Sequence, residues 1–154
     1  MINIAICDDD EKQVHLLHDK FYQILKDYGI AAKISRFASP VKFMENLRET
    51  SYDLVFLDIE MSPINGFEIA DYLTQHKEFT RIVFISSHDI NIARKSIRYS
   101  PIAFISKNHF EQELKENMDI IFDKLKLMSS HLYRDHKQNS STNKNIRYII
   151  YING

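Results

Sequence analysis

Short apolar runs that stop at polar side chains limit what this 154-residue chain can fold into. The most informative run extends from Leu54 to Leu57 and leads directly into Asp58, followed by a loop that contains Pro63 and Gly66. Apolar runs of this length, bounded by turn-forming residues, are typical of buried strands. Three similar runs lie at 2–7, 81–86 and 102–106. The sequence therefore predicts buried strands whose last residues carry polar groups.

Helical patterns separate these runs. Strands are predicted at 2–7, 31–37, 53–57, 81–86 and 102–106. Apolar residues at the spacing of a helix face occur over 14–25, 43–47, 67–73, 89–98 and 109–133. Strands that alternate with helices of this length imply right-handed crossovers between parallel strands. We therefore predict an α/β fold, a doubly wound five-stranded parallel sheet with helices on both faces.

Several residues mark where the helices begin and end. Asp10 is suited to cap the first helix, and Gly29 stands where a helix C′ glycine belongs. Ser39 and Pro40 are typical of a helix start, because proline is tolerated in the first turn. Gly66 is expected to supply a backbone conformation that is closed to other residues.

Composition indicates one globular domain and argues against several other classes. No apolar run approaches the length of a membrane span, and the first residues lack the layout of a signal peptide. The single cysteine, Cys7, lies inside a predicted strand, where burial suppresses thiol reactivity, and it cannot form an intramolecular disulfide. We therefore expect a cytoplasmic protein with no membrane contact.

Charge is distributed unevenly along the chain. Residues 124–154 contain six basic residues and one acidic residue, a net charge of +5, whereas residues 1–123 contain 14 basic and 20 acidic residues, a net charge of −6. The acidic body argues against direct binding of nucleic acid by that body. The basic tail fits either an anionic partner or a solvated linker.

The end of the sequence changes character. Residues 135–145 are polar and predict a linker, whereas 146–154 return to the pattern of a strand. A lone apolar strand is unstable in water and prone to aggregation. We expect this segment either to open a further domain that is cut off here or to pair with another chain.

The predicted strand ends bring three carboxylates together. In an open parallel sheet the carboxyl ends of the strands lie along one edge, where such folds place their sites. Asp8 and Asp9 end the first strand, and Asp58 ends the third. Crowded carboxylates repel one another, and Mg²⁺ prefers oxygen ligands. We predict that Asp58 accepts a phosphoryl group on a Mg²⁺ ion held by Asp8, Asp9, Asp58 and the backbone carbonyl of Glu60.

The same edge supplies a cation and a hydroxyl. Lys107 is predicted to direct its ammonium toward a phosphoryl oxygen, and Ser86 to donate a hydrogen bond to another. Simpler interpretations exist for each position. Asp8 or Asp9 can merely cap the first helix, and Asp58 can be an acid of a surface loop. Ser86 or Ser87 can cap the fourth helix, and Lys107 can be an ordinary solvated lysine. The ordered set at successive strand ends is more specific than any of its members.

These motifs resemble the receiver domain of bacterial two-component response regulators over about residues 1–127. The matching stretches are IAICDDD, VFLDIEM, FISSHD and AFISK. The stretches IAICDDD and FISSHD, together with the tail RYIIYING, are most similar to regulators of the LytR/AgrA type, which carry a LytTR DNA-binding domain after the receiver. The resemblance implies a flavodoxin-like sheet of order 2-1-3-4-5. It also assigns Ser86 and Phe104 as switch residues, with Lys107 as the family lysine.

The resemblance also implies partners. A sensor histidine kinase would phosphorylate Asp58 in a Mg²⁺-dependent reaction, and the receiver would then form a homodimer through the face of helix four, strand five and helix five. The implied organisation is a receiver at 1–127, a helix end and polar linker at 128–145, and the first strand of a truncated LytTR-like domain at 146–154. DNA would be bound only through that further domain.

Two positions depart from the family pattern. Asn108 stands where a proline usually follows the lysine, often after a cis bond. A cis bond before a residue other than proline costs about 3 kcal/mol, so we expect the loop after Lys107 to be either trans or strained. Ser62 occupies the usual proline position after the phosphoacceptor, with Pro63 one residue later.

Two rival functions remain open. An aspartyl-nucleophile phosphatase would use an acid two residues after the nucleophile, and Glu60 occupies that position. The chain, however, lacks the elements of a cap domain or substrate pocket, and no turnover of an external substrate is expected. A stand-alone or phosphorylation-independent receiver that acts as a protein-interaction module is the second rival.

Overall fold

The computed structural model describes residues 1–87 and 90–125, and within them five parallel strands form one sheet. The strands are β1 (Ile2–Cys7), β2 (Ala32–Phe37), β3 (Leu54–Asp58), β4 (Arg81–Ser86) and β5 (Ala103–Ser106). Their order in the sheet is β2-β1-β3-β4-β5, and every neighbouring pair is parallel. The predicted doubly wound sheet and its strand order are confirmed.

Helices cover both faces of the sheet. They are α1 (Glu11–Asp27), α2 (Pro40–Leu47), α3 (Gly66–His76), α4 (Ile90–Ser96) and α5 (Phe110–Lys124). Single 3₁₀ turns follow α4 at Ile97–Tyr99 and precede α5 at Lys107–His109. In this part of the chain, no helix has the length and apolarity needed to cross a bilayer.

Alternation along the strands divides the core into two layers. On β3, Leu54 and Phe56 face a layer built with α1 and α5, whereas Val55 and Leu57 face a layer built with α2 and α3. Successive side chains of a strand point to opposite faces, so a strand that is apolar throughout must be covered on both sides. All five residues of β3 are buried, as befits the central strand.

The predicted helix ends are confirmed where the structure describes them. Asp10 Oδ1 accepts a hydrogen bond from Lys12 N at 2.9 Å and so caps α1. Gly29 follows the α1 cap with φ of 65°, the left-handed conformation that glycine adopts without steric cost. Ser39 caps α2, and Pro40 occupies its first turn.

Some predicted boundaries were wrong. The fourth helix was predicted over 89–98, but α4 ends at Ser96, and the residues that follow it form a 3₁₀ turn at Ile97–Tyr99. The fifth strand begins at Ala103 rather than 102, and the fifth helix begins at Phe110 rather than 109. The predicted extension of that helix to 133, the linker at 135–145 and the strand at 146–154 lie outside the described residues.

Gly66 was predicted for the wrong reason. It is the first residue of α3, which is capped by reciprocal hydrogen bonds between Asn65 and Glu68, and its φ is not positive. What demands glycine is space, because a Cβ there would lie 2.3 Å from the carbonyl oxygen of Asp58 and 2.8 Å from Ile59 Cα. The start of α3 therefore rests directly on the backbone that carries Asp58.

We predict that Gly66→Ala lowers the free energy of unfolding by about 2–4 kcal/mol, because overpacking against backbone cannot be relieved by a rotamer change. Chemical denaturation of the variant would measure this loss. Gly29→Ala is the matched control, since it introduces the same methyl at a left-handed position and should cost only about 1 kcal/mol. Equal losses in the two variants would contradict the close-approach explanation.

Candidate functional site

The carboxyl ends of β1, β3, β4 and β5 meet at one edge of the sheet. Asp8 directly follows β1, while Asp58 and Ser86 are the last residues of β3 and β4. The register pairs Asp58 with Ile85 and Ser86 with Ser106, so these ends are level with one another. Lys107 is the first residue after β5. The sheet thus assembles side chains that lie far apart in sequence.

Asp8, Asp9 and Asp58 form a cluster in which one carboxylate oxygen from each lies within 4.8 Å of the others. Asp8 is completely buried and Asp58 is 2% exposed, whereas Asp9 is open to solvent. Oxygen donors of this kind, with one ligand facing water, fit a hard divalent cation. The donor chemistry of the described residues therefore matches the predicted metal site.

Backbone groups orient two of these carboxylates. Asp8 Oδ1 accepts from Asp10 N at 2.9 Å, and Asp9 Oδ2 accepts from Ser62 N at 3.2 Å. Asp10, rather than Asp8 or Asp9, caps α1, so the simpler interpretation of the acidic pair as a helix cap was wrong. The bond from Ser62 was not anticipated, because it joins two loops 53 positions apart.

Lys107 connects the two buried acids. Its Nζ lies 2.7 Å from Asp8 Oδ2 and 3.2 Å from Asp58 Oδ2. Among the described residues the only cis peptide is Ser62–Pro63, so the bond after Lys107 is trans, one of the two alternatives that the sequence left open. Asn108 N donates to Ser106 Oγ at 3.2 Å, which forms the turn in the absence of proline.

The electrostatics of the cluster are dominated by burial. Burial and the charge of Asp8 raise the pKa of Asp58 from 3.8 to about 6, against the opposing effects of Lys107 and of a hydrogen bond from the Glu60 backbone. Burial lowers the pKa of Lys107, but hydrogen bonding to Asp8 and the two carboxylate charges outweigh it, and the net pKa is raised. Lys107 is therefore a permanent cation at this edge.

Ser86 presents a hydroxyl without a partner. Its side chain is completely buried, and its Oγ makes no hydrogen bond with the described part of the chain. A buried polar group left unsatisfied costs about 1–3 kcal/mol, and such groups call for an explanation. The neighbouring Ser87 faces outward and donates to Glu60 Oε2 at 3.2 Å. A ligand at the carboxylate cluster would give the Ser86 hydroxyl an acceptor.

The remaining predicted residues lie around this centre. The Glu60 side chain is engaged by Ser87, and the role of its carbonyl as a metal ligand stays a prediction. Phe104 is half-buried against the layer that contains α2 and α3, and it pairs in register with Phe84. Cys7 is buried, as expected, and its thiol contacts Met61 Sδ at 3.8 Å. Burial and the nearby Asp8 charge raise the pKa of Cys7, so its thiol is inert.

In the metal-free protein we predict that Asp58→Asn raises stability at pH 8 by about 1–3 kcal/mol. Because the folded-state pKa of Asp58 is raised to about 6, the ionised carboxylate opposes folding above that pH. At pH 4 the acid is protonated in the folded state and about half protonated in the unfolded state, so most of the penalty is gone. Denaturation in a chelating buffer at both pH values measures the difference.

Glu49→Gln, which neutralises an exposed carboxylate outside the cluster, is the matched control for the loss of one negative charge. We expect it to change stability by less than about 0.5 kcal/mol at either pH. If Asp58→Asn were destabilising at pH 8, or gave the same gain at pH 4, burial of an ionised Asp58 would not be the source of the effect.

Known structures share this architecture. The response regulatory domain of mrkE from Klebsiella pneumoniae superposes with a TM-score of 0.71 at 17% identity, covering 82% of this chain and 99% of that one. TrrA from Thermotoga maritima, solved in complex with Mg²⁺-BeF, gives a TM-score of 0.65 at 24% identity, covering 77% of this chain and 97% of that one. At these identities the likeness establishes the fold.

The chain is also similar in sequence to characterised bacterial signalling proteins. The chain is 25% identical over 118 residues to the sensory transduction protein LytT of Bacillus subtilis, covering 77% of this chain and 47% of LytT. It is 29% identical over 112 residues to the response regulator protein TmoT of Ectopseudomonas mendocina, covering 72% of this chain and 48% of TmoT. The chain thus spans about half the length of these curated relatives. The family model of the response regulator receiver domain matches residues 4–119, which include the carboxylate cluster and Lys107, and the chain therefore belongs to the response regulator receiver domain family.

Proposed function

We propose that this chain is the phosphoacceptor part of a two-component response regulator and that a sensor histidine kinase phosphorylates Asp58. The observation that carries the proposal is the position of Lys107 Nζ, within 3.2 Å of both Asp8 and Asp58 beside the carboxylate cluster. A cation fixed next to a buried acid neutralises charge as a phosphoryl group arrives. Family membership supports the same assignment.

The chemistry requires little movement at the site. A carboxylate oxygen of Asp58 attacks the phosphorus of a phosphohistidine, forming an O–P bond as the N–P bond breaks and the electron pair returns to the imidazole. Lys107 and Ser86 donate hydrogen bonds to two of the phosphoryl oxygens. Asp8, Asp9, Asp58 and the Glu60 carbonyl are assigned as ligands of Mg²⁺, which would offset the negative charge of the phosphoryl group.

The output follows from the new hydrogen bonds. Ser86 moves toward the phosphoryl group, and Phe104 turns into the space behind it, which repacks the face formed by α4, β5 and α5. Moving an equilibrium from 1:99 to 99:1 takes about 5.5 kcal/mol, which two or three charge-assisted bonds can supply. Homodimerisation through that face is the proposed result.

The proposed whole protein is a transcription regulator. Residues 1–127 form the receiver, 128–145 the helix end and linker, and 146–154 the first strand of a LytTR-like DNA-binding domain. The support is the likeness to LytT, of which this chain covers 47%, together with the apolar pattern of 146–154. DNA contact belongs to that domain, in keeping with the acidic receiver.

Turnover of external phosphoesters is not part of this function. A phosphatase of the aspartyl type would need Glu60 as a general acid at the leaving group. Its carboxylate instead accepts a hydrogen bond from Ser87 Oγ at 3.2 Å. Glu60 is therefore assigned to the metal site through its backbone only, and the phosphoryl group is lost by slow hydrolysis from Asp58.

Incubation with acetyl phosphate and Mg²⁺ should add one phosphoryl group per chain, and Asp58→Asn should abolish it, because the amide lacks the carboxylate oxygen that attacks phosphorus. Intact-mass spectrometry measures the addition. Chelation of the metal should slow labelling by at least about 100-fold.

Two controls make this test specific. Asp53→Asn removes an acid from the opposite end of β3 and should leave labelling unchanged, since Asp53 accepts a hydrogen bond from Asn3 N, away from the cluster. Stoichiometric labelling of the Asp58→Asn variant would rule out Asp58 as the acceptor. Steady release of phosphate from an unrelated phosphoester would favour a phosphatase.

A further inference from the structure

A second set of polar and aromatic contacts joins α3 to the 3₁₀ turn after α4. The Tyr99 hydroxyl donates to Asp71 Oδ1 at 2.9 Å, and Arg98 Nη2 donates to the same oxygen at 3.1 Å. The Arg98 guanidinium also lies over the Tyr99 ring, 4.7 Å from its centroid. We call these three residues the Tyr99 clasp. One carboxylate on α3 thus holds two residues at the end of α4.

The Tyr99 ring is the buried part of the clasp. It is 7% exposed, stacks on Phe67 with centroids 5.6 Å apart, and meets Phe84 edge-on at 5.8 Å. Phe67 and Phe84 also pack edge to face, at 5.5 Å. The Arg98 and Asp71 side chains are 67% and 45% exposed, and exposed ion pairs contribute little stability. Tyr99 therefore carries most of the contact.

Both ring partners of Tyr99 lead to the phosphorylation site. Phe67 directly follows Gly66, whose N donates to Ile59 O at 3.0 Å and whose Cα abuts the Asp58 carbonyl. Phe84 lies on β4, two residues before Ser86. The Asp58 backbone on one side and the Ser86 hydroxyl on the other are thus connected to the same ring through contiguous packing.

The residue after Tyr99 is held in an unfavourable backbone conformation. Ser100 has φ of 47°, in the left-handed region that residues with a side chain rarely adopt. It joins the 3₁₀ turn to the segment that enters β5. Ser100 N donates to Ile97 O at 2.9 Å, and this left-handed cap of the 3₁₀ turn lies directly next to the clasp.

We propose that the Tyr99 clasp couples the phosphoryl group on Asp58 to the position of α4, with Tyr99 as the positioning residue. The inference rests on the proposed function of Asp58 and adds a route to α4 besides that through Phe104. When the Ser86 hydroxyl moves toward the phosphoryl group, β4 shifts Phe84 against the Tyr99 ring. The clasp weakens, and the end of α4 moves away from α3.

Hydrogen exchange of residues 91–99 tests this coupling in the full chain, with and without Mg²⁺ and beryllofluoride as the phosphoryl mimic. In the wild type, adding both should speed exchange there by about tenfold, the equivalent of losing one hydrogen bond to a charged acceptor. Tyr99→Phe keeps the ring and removes the hydroxyl. Its exchange should already be about tenfold faster without ligand, and the ligand should change it by less than about twofold.

Tyr52→Phe is the matched control. Tyr52 is 6% exposed, and its hydroxyl donates to Asn46 Oδ1 at 2.7 Å on a different helix, so its loss is structural alone. This variant should lose some thermal stability yet keep the tenfold response at 91–99, within a factor of about two. Asp71→Ala removes the acceptor from the other side and should reproduce the Tyr99→Phe result, which covers the case of a poorly folded Tyr99 variant.

The outcomes separate the coupling from the function on which it rests. Thermal stabilisation by Mg²⁺ and beryllofluoride that Asp58→Asn abolishes shows that the site is occupied. If occupation leaves exchange at 91–99 unchanged in the wild type, or if Tyr99→Phe and Asp71→Ala respond like the wild type, the coupling is overturned and the proposed function stands. If the wild type does not bind the mimic, the proposed function fails, and the coupling fails with it.

Discussion

The ammonium of Lys107 between Asp8 and Asp58 is the interaction on which the arrangement of the sheet edge depends. Both acids are buried, and an oxygen of each lies within 4.8 Å of the other, a separation at which two like charges repel by roughly 3–4 kcal/mol at an effective dielectric constant of 20. Lys107 contacts both and offsets part of that repulsion, but the pKa of Asp58 remains raised to about 6. Lys107 alone therefore does not neutralise the carboxylates at this edge of the sheet, and uncompensated negative charge favours the binding of a divalent cation. The same lysine would then serve an incoming phosphoryl group, so one residue stabilises the fold and prepares the chemistry.

Backbone packing around Asp58 is as restrictive as the charges. Gly66 brings α3 against the Asp58 carbonyl, where no side chain would fit, and Gly66 N donates to Ile59 O at 3.0 Å. The start of the helix therefore packs directly on the strand end that carries the acid. Phe67 and Asp71 lie one turn apart on that helix, so under the proposed coupling a change at Asp58 would reach the residues that hold Tyr99. Tight backbone contact is thus a means of transmission as well as of stability.

The sequence was sufficient for the strands and for the placement of polar side chains at their ends. Apolar runs identify strands because burial on both faces leaves no polar alternation, and parallel pairing then places Asp8, Asp58 and Lys107 at one edge. Contacts that depend on register or on close approach could not be predicted. The hydrogen bond from Tyr99 to Asp71 joins residues 28 positions apart, and the sequence near either residue does not predict it. Gly66 was recognised as necessary, but a sequence cannot distinguish a need for space from a need for a left-handed backbone.

Three unfavourable features lie at or near the candidate site, and they bear on the proposed switch. A buried acid with a raised pKa, an unpartnered hydroxyl at Ser86 and a left-handed Ser100 each oppose the resting arrangement. Ligands at the carboxylate cluster would supply partners for the first two, and the third adjoins the Tyr99 clasp. On the proposed mechanism, each of these features would favour the phosphorylated state. On the proposed function, part of the free-energy difference needed to change state would then already be present before Asp58 is phosphorylated.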